Sequence, residues 1–127
     1  MADYRQLAVW KKAHALTLEL YRQTEAFPKA ELFGLTSQIR RAAASVGANL
    51  AEGCGRRGDT EFHRFITIAI GSCDELDYHL LLARDLGYID REPYEQAREQ
   101  IAEVGRMLSG LQKQLNKRKE RIVRVAP

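Results

Sequence analysis

Tyr94-Glu95-Gln96-Ala97-Arg98-Glu99-Gln100-Ile101-Ala102-Glu103-Val104-Gly105-Arg106-Met107-Leu108-Ser109-Gly110-Leu111-Gln112-Lys113-Gln114-Leu115 decides the fold. Within it Tyr94, Ala97, Ile101, Val104, Leu108, Leu111 and Leu115 follow at intervals of 3, 4, 3, 4, 3 and 4. That is a heptad seam over three repeats, the pattern of a helix packed along its length against other helices. Asp90 supplies the start and Pro93 sits in the first turn, where its missing N–H costs nothing. Arg118 interrupts the seam and Ile122 extends it. Glu95, Glu99 and Glu103 stack at i, i+4 on an outer face. Like charges so placed are mildly destabilising, so solvent must screen them or a basic partner offset them.

Working outward, Gly87-Tyr88-Ile89-Asp90 is a short connection, which makes the preceding helix an antiparallel neighbour. That third helix starts with Asp59 or Thr60 as its cap. It buries Phe62, Phe65, Ile66, Ala69, Cys73, Leu76, Leu80 and Ala83 and stops before Gly87. The second helix begins between Leu32 and Thr36, ends near Gly53, and carries Leu35, Ile39, Ala42, Val46 and Leu50 as its stripe. Ala42, Ala43, Ala44, Ser45, Gly47, Ala48 and Ala51 make it small-sided, which allows a close axis-to-axis approach. The first helix runs from about Arg5 to Ala26, with Asp3 and Gln6 as a capping box and Pro28 beyond its end. Its stripe of Val9, Trp10, Ala13, Leu16, Thr17, Leu20, Tyr21 and Thr24 is flanked by Leu7, His14 and Leu18. The whole spans ~200° of the helix surface, more than a helix inside a monomeric bundle needs. A second packing surface, another subunit, follows. No segment reads as a strand. The expected fold is all-α, an antiparallel up-down-up-down four-helix bundle over residues 1–115 with a basic tail over 116–127.

The net charge of +3 on 127 residues conceals an asymmetry. Residues 113–127 hold six basic side chains against Glu120 alone, a balance of +5, so residues 1–112 sum to −2. Nucleic-acid affinity is therefore not a property of the average surface. The 45% hydrophobic content supports a core and argues against disorder. No run approaches the ~18 apolar residues of a membrane span. Met1-Ala2-Asp3-Tyr4-Arg5 shows no secretory pattern, and Cys54 and Cys73 are too few for a disulfide framework. A cytoplasmic protein without a membrane partner is expected.

Several catalytic constellations fail on their own spacing. Gly53-Cys54-Gly55-Arg56-Arg57-Gly58 spells GxGxxG, but a helix precedes it where the dinucleotide fingerprint needs a strand. A helix cap and turn explain the glycines, and Arg56 and Arg57 before a helix N-terminus make a candidate phosphate contact. His14, His63 and His79 do not form the paired Glu-x-x-His of a di-iron bundle. Glu75 and His79 lack further ligands, so no metal and no cofactor are expected. Ser45 and Ser72 have no readable base. Cys73 packs in the core, whereas Cys54 near two arginines is a candidate for a lowered pKa. Arg57 and His63, five residues apart, resemble the motif of helical HEPN-type ribonucleases, but no second acid–base group accompanies them.

Leu7-Ala8-Val9-Trp10-Lys11-Lys12-Ala13-His14, Tyr21, Phe27-Pro28 and Glu31 resemble the opening of the bacterial four-helix bundle proteins encoded by 23S ribosomal RNA intervening sequences. Leu35-Thr36-Ser37-Gln38-Ile39-Arg40-Arg41-Ala42-Ala43, Ser45-Val46 and Asn49-Leu50-Ala51-Glu52-Gly53-Cys54-Gly55-Arg56 are similar to that family's second helix. Phe62-x-x-Phe65, Ala69-x-Gly71-Ser72-x-x-Glu75-Leu76 and Leu86-Gly87-Tyr88-Ile89 resemble its third helix and turn. The likeness covers about residues 4–115, and Gly47 stands where family members often carry proline. The resemblance implies a homopentameric barrel, no established enzymatic activity, and kinship with nucleic-acid-binding accessory proteins of diversity-generating retroelements, which engage a reverse transcriptase.

The expected function is that of a non-catalytic, oligomeric nucleic-acid-binding or ribonucleoprotein accessory protein. RNA or DNA would be met by Arg40, Arg41, Arg56, Arg57, Lys113, Lys117, Arg118, Lys119, Arg121 and Arg124. The tail has no aromatic residue to stack on bases. The alternative is an adaptor that binds a reverse transcriptase or another protein through its oligomeric surface, with no nucleic-acid role.

Overall fold

The computed structural model describes residues 3–125, and the side chains of residues 3–121. Four helices follow in order: α1 (Ala8–Thr24), α2 (Leu35–Gly55), α3 (Asp59–Asp85) and α4 (Arg91–Val125). Short 3₁₀ turns at Tyr4–Gln6 and Lys29–Glu31 precede α1 and α2. No strand occurs among the described residues. Each helix packs on its sequence neighbour and α1 closes on α4, while the diagonal pairs stay apart. This is the expected up-down bundle.

The heptad seam holds as read. Tyr94, Ala97, Ile101, Val104, Leu108 and Leu115 are buried, and Leu111 is half-buried against the same core. Leu20, Ile39, Leu50, Ile66, Leu76 and Leu80 meet Val104 and Leu108 as the largest wholly buried side chains. Each such burial contributes on the order of 2 kcal/mol.

Two helix starts differ from expectation. Asp3 and Gln6 do not open α1: Asp3 Oδ1 accepts from the Arg5 N–H at 3.0 Å and caps the Tyr4–Gln6 turn instead. Leu7 is extended, with φ −70° and ψ 126°, and separates that turn from α1. At α3 the cap position belongs to Gly58, whose φ of +85° reverses the chain. Asp59 is then the first helical residue, and its carboxylate faces Arg118 instead of capping. The other end of α3 closes as a glycine cap. Gly87 at φ +78° donates to Arg84 O, and Tyr88 donates to Ala83 O, both at 2.9 Å.

The small residues of α2 are used for close contact. A Cβ at Gly47 would lie 3.3 Å from Trp10 Nε1, so this glycine admits the Trp10 ring. α2 passes Gly47 unbroken. A Cβ at Gly53 would lie 2.9 Å from both Phe62 and Phe65, so the α2–α3 approach is tightest there. Across the α2–α3 contact Ser45 Oγ and Ser72 Oγ are 2.8 Å apart. Asn49 Nδ2 donates to Ser45 Oγ at 3.0 Å, and Ser72 Oγ donates to Ile68 O at 3.3 Å. All these bonds are satisfied when Ser45 donates to Ser72, so the two serines are partners of each other and not a nucleophile awaiting a base.

The bundle has two chemically distinct ends. At one, the α1–α2 and α3–α4 connections touch: Tyr88 Oη donates to Glu31 Oε2 at 2.9 Å, and the Phe27 and Tyr88 rings are 5.7 Å apart. At the other lie the Tyr4–Gln6 turn, the Arg56–Gly58 turn and the last turns of α4.

The wide stripe of α1 is only partly filled within the chain. Val9, Ala13, Leu16, Leu20 and Thr24 are buried, while Leu18 and Tyr21 remain 44% and 42% exposed. His14 stacks on Trp10 with ring centroids 4.8 Å apart. No described helix is long and apolar enough to cross a membrane.

Candidate nucleic-acid interface

The ten arginines and lysines selected from the sequence do not act as one patch. Arg40 is committed within the fold. Its Nε donates to Thr24 Oγ1 at 2.9 Å, its Nη2 donates to Tyr21 O at 3.2 Å, and its guanidinium lies 4.8 Å from the Tyr21 ring centroid. The Thr24 hydroxyl and the Tyr21 carbonyl both belong to the last turn of α1, where a cation also suits the helix dipole. Arg41, one residue on, is exposed. Both sit in the half of α2 nearer the Tyr88–Glu31 end, away from the other candidates.

Arg56 and Arg118 lie at the other end but are already paired. Arg56 Nη2 is 2.8 Å from Glu52 Oε1, and Arg118 Nε is 3.3 Å from Asp59 Oδ2. Arg5 and Arg64 belong to the same end and escaped the sequence selection; Asp3 and Glu61 neutralise them at 3.5 and 3.2 Å. Arg56 and Arg64 flank the Phe65 ring, with guanidinium carbons 5.5 and 4.6 Å from its centroid. Of the ten, Arg41, Arg57, Lys113, Lys117, Lys119 and Arg121 are exposed and have no ion pair among the described residues, and Arg57, Lys117, Lys119 and Arg121 are those at the tip of this end.

α4 continues through the basic segment to Val125. The division at 115/116 is one of charge and not of backbone. Lys113, Lys117 and Arg121 stand at successive i, i+4 positions and so share one face, about 6 Å apart along the axis. That spacing was visible in the sequence and becomes decisive once the segment is helical. Arg124 lies in the last helical turn; its side chain, like that of Ile122, falls outside the described residues. Lys113 also borders a groove between α3 and α4 whose other rim carries Asp74 and Asp77.

The phosphate contact expected at the start of α3 meets a complication. Asp59 and Glu61 occupy the first turn of α3 and already answer its dipole. An anion there depends on Arg118 and Arg64 holding those two carboxylates. Beside them a cavity of about 630 Å³ opens between α3 and α4, lined by Thr60, His63, Leu115, Asn116 and Lys119. None but Lys119 was singled out for binding from the sequence. His63 Nε2 is buried and has no hydrogen-bond partner among the described residues.

The remaining chemistry is sparse. His79 Nδ1 is 4.0 Å from Glu75 Oε1. Among the described residues no three metal-ligating side chains converge. Cys54 is not the activated thiol its neighbours in sequence suggest. It is buried, burial pushes its pKa up, and the Asp3 carboxylate adds to the rise. Cys73 is pushed up to about 11 by burial, with Asp74 adding to it.

Residues 5–110 match the family model described as 23S rRNA-intervening sequence protein. The chain belongs to this family. Among solved structures it is similar to a protein of unknown function from the S23 ribosomal protein family of Bacteroides thetaiotaomicron VPI-5482. That likeness has 25% identity and a TM-score of 0.76, and covers 83% of this chain and 95% of the other. No curated protein matches the chain. The match to the 23S rRNA-intervening sequence family ends at residue 110. Lys113, Lys117, Lys119 and Arg121 therefore lie beyond it, while Arg56 and Arg57 lie inside.

Proposed function

We propose that this member of the 23S rRNA-intervening sequence family is a non-catalytic, cytoplasmic accessory protein that binds RNA or DNA through the end of the bundle carrying Arg57 and the last turns of α4. The observation that supports the reading best is the set of exposed cations without ion pairs, Arg57, Lys117, Lys119 and Arg121, gathered at one end. An exposed charge already held by a neighbour gains little from a phosphate, whereas an unpaired one releases counterions on binding. Oligomerisation, as a homopentamer in this reading, would multiply that end and add avidity. The unfilled stripe of α1, with Leu18 and Tyr21 exposed, supports a subunit contact.

A reverse transcriptase or other protein partner fits a second surface. Leu32, Phe33 and Leu86 are 50%, 94% and 50% exposed at the end opposite the cations. This patch favours the adaptor reading, in which nucleic acid plays no part. Fluorescence anisotropy with RNA and with DNA separates the two. Binding that weakens steeply with salt supports the accessory role, and absence of binding even at low salt leaves the adaptor. Native mass spectrometry at micromolar concentration reads the oligomer, and a monomer there removes the ring.

A further inference from the structure

Resting on the nucleic-acid reading, we propose that the cavity between the start of α3 and the late turns of α4 receives an unpaired nucleobase of a single strand. The cavity, about 630 Å³, lies within the range of small-ligand sites and is large enough for a base and its sugar. Its lining is mixed in the way such a ligand needs. Leu115, part of the α4 seam, offers an apolar wall, and His63 a flat aromatic ring. Thr60 and Asn116 bring hydrogen-bonding side chains to the same space, and Lys119 stands at its edge.

A phosphate group alone would use only the cations and would leave Leu115 and the His63 ring unused. A duplex keeps its bases stacked and paired and offers none to a cavity. A single strand offers both parts at once: phosphates to Arg57, Lys117 and Lys119, and a base face to an aromatic ring. The His63 side chain also holds an unsatisfied nitrogen, since Nε2 is buried with no partner among the described residues. Buried polar atoms left unpaired are uncommon and call for a partner. Charge agrees as well: Asp59, which also lines the cavity, is held by Arg118, so the mouth is not closed to an anion.

The test compares four labelled probes of about 12 nucleotides: single-stranded RNA, single-stranded DNA, an abasic DNA strand of the same charge, and a DNA duplex. Anisotropy is read for the full chain and for His63→Ala, Asn116→Trp and Arg57→Ala. Circular dichroism checks that each variant keeps its helices. The proposal expects the base-bearing single strands to bind at least about 5-fold tighter than the abasic strand and tighter than the duplex. His63→Ala, and the cavity-filling Asn116→Trp, should each bring that ratio close to one. Arg57→Ala should weaken both strands together and leave the ratio intact. Equal binding of the base-bearing and abasic strands, or a ratio unmoved in both cavity variants, overturns the base site and leaves the phosphate reading standing. If no probe binds even at low salt, the nucleic-acid reading falls and the base site falls with it.

Discussion

Arg118 Nε lies 3.3 Å from Asp59 Oδ2, so the first residue of α3 is tied to α4 seven residues before the last described helical turn ends at Val125. The rest of α4 extends for about 10 Å past that point, and residues 116–121 are all exposed. The pair marks where the bundle ends and a cationic helical spur begins. It also occupies the seam position that Arg118 takes in place of an apolar residue. Both side chains are well exposed, at 66% and 38%, so Arg118→Ala should cost less than about 1 kcal/mol in urea unfolding. A larger loss would mean that the spur is part of the cooperative core.

Arg40 behaves oppositely, because its guanidinium carries bonds to Thr24 Oγ1 and Tyr21 O. Arg40→Ala should destabilise by about 1–2 kcal/mol, whereas Arg41→Ala should fall within about 0.5 kcal/mol of the parent. Neither should change the salt dependence of nucleic-acid binding. Chemical denaturation of the two variants side by side reads the difference.

The glycines separate close packing from open surface. Gly53→Ala forces a Cβ to within 2.9 Å of Phe62 and Phe65 and should cost about 1–3 kcal/mol. Gly71→Ala meets nothing within 4 Å in mid-helix and should stabilise by about 0.5–1 kcal/mol. Thermal melts of both variants check the contrast. A destabilising Gly71→Ala would show that another subunit packs closely on that face.

Burial of Cys73 makes stability fall at alkaline pH. The folded state keeps the thiol protonated up to about 11, against an ordinary value near 9. As pH rises past 9 the unfolded chain releases this proton first, so unfolding is drawn forward, and the loss is complete near the folded value. Urea melts at about pH 7.5 and about pH 10.5 should show a smaller decline for Cys73→Ala than for the parent. An equal decline would place the thiol in contact with solvent.

Most of the architecture was readable because helix periodicity and turn chemistry agree. The intervals from Tyr94 to Leu115 announce one continuous apolar seam, and Gly87 a left-handed cap that the structure uses. Asp3 and Gln6 misled because an extended Leu7 intervenes, which local spacing does not reveal. Asp59 misled because its carboxylate had a distant partner, Arg118, 59 residues away in the chain. The same limit applies to the candidate interface. Sequence marks where positive charge lies, but which cations are already neutralised depends on contacts such as Arg56 with Glu52 and Arg118 with Asp59. Glu103 shows this for the acidic face: Lys12 of α1 meets it at 2.8 Å, so one of the three stacked glutamates is offset within the chain. The cavity beside His63 was not legible at all, since α3 and α4 form it only by converging.

In the proposed function, unpaired cations at one end of the bundle bind nucleic-acid phosphates. The most direct test is the salt dependence of single-strand binding by the parent chain and by Arg57→Ala/Lys117→Ala/Lys119→Ala/Arg121→Ala. Each phosphate contact adds about 0.7 to the slope of log affinity against log salt on a single strand. The combined variant should lose about 3 from that slope and bind only weakly at ~0.15 M salt. A slope and affinity unchanged from the parent would contradict the proposed function.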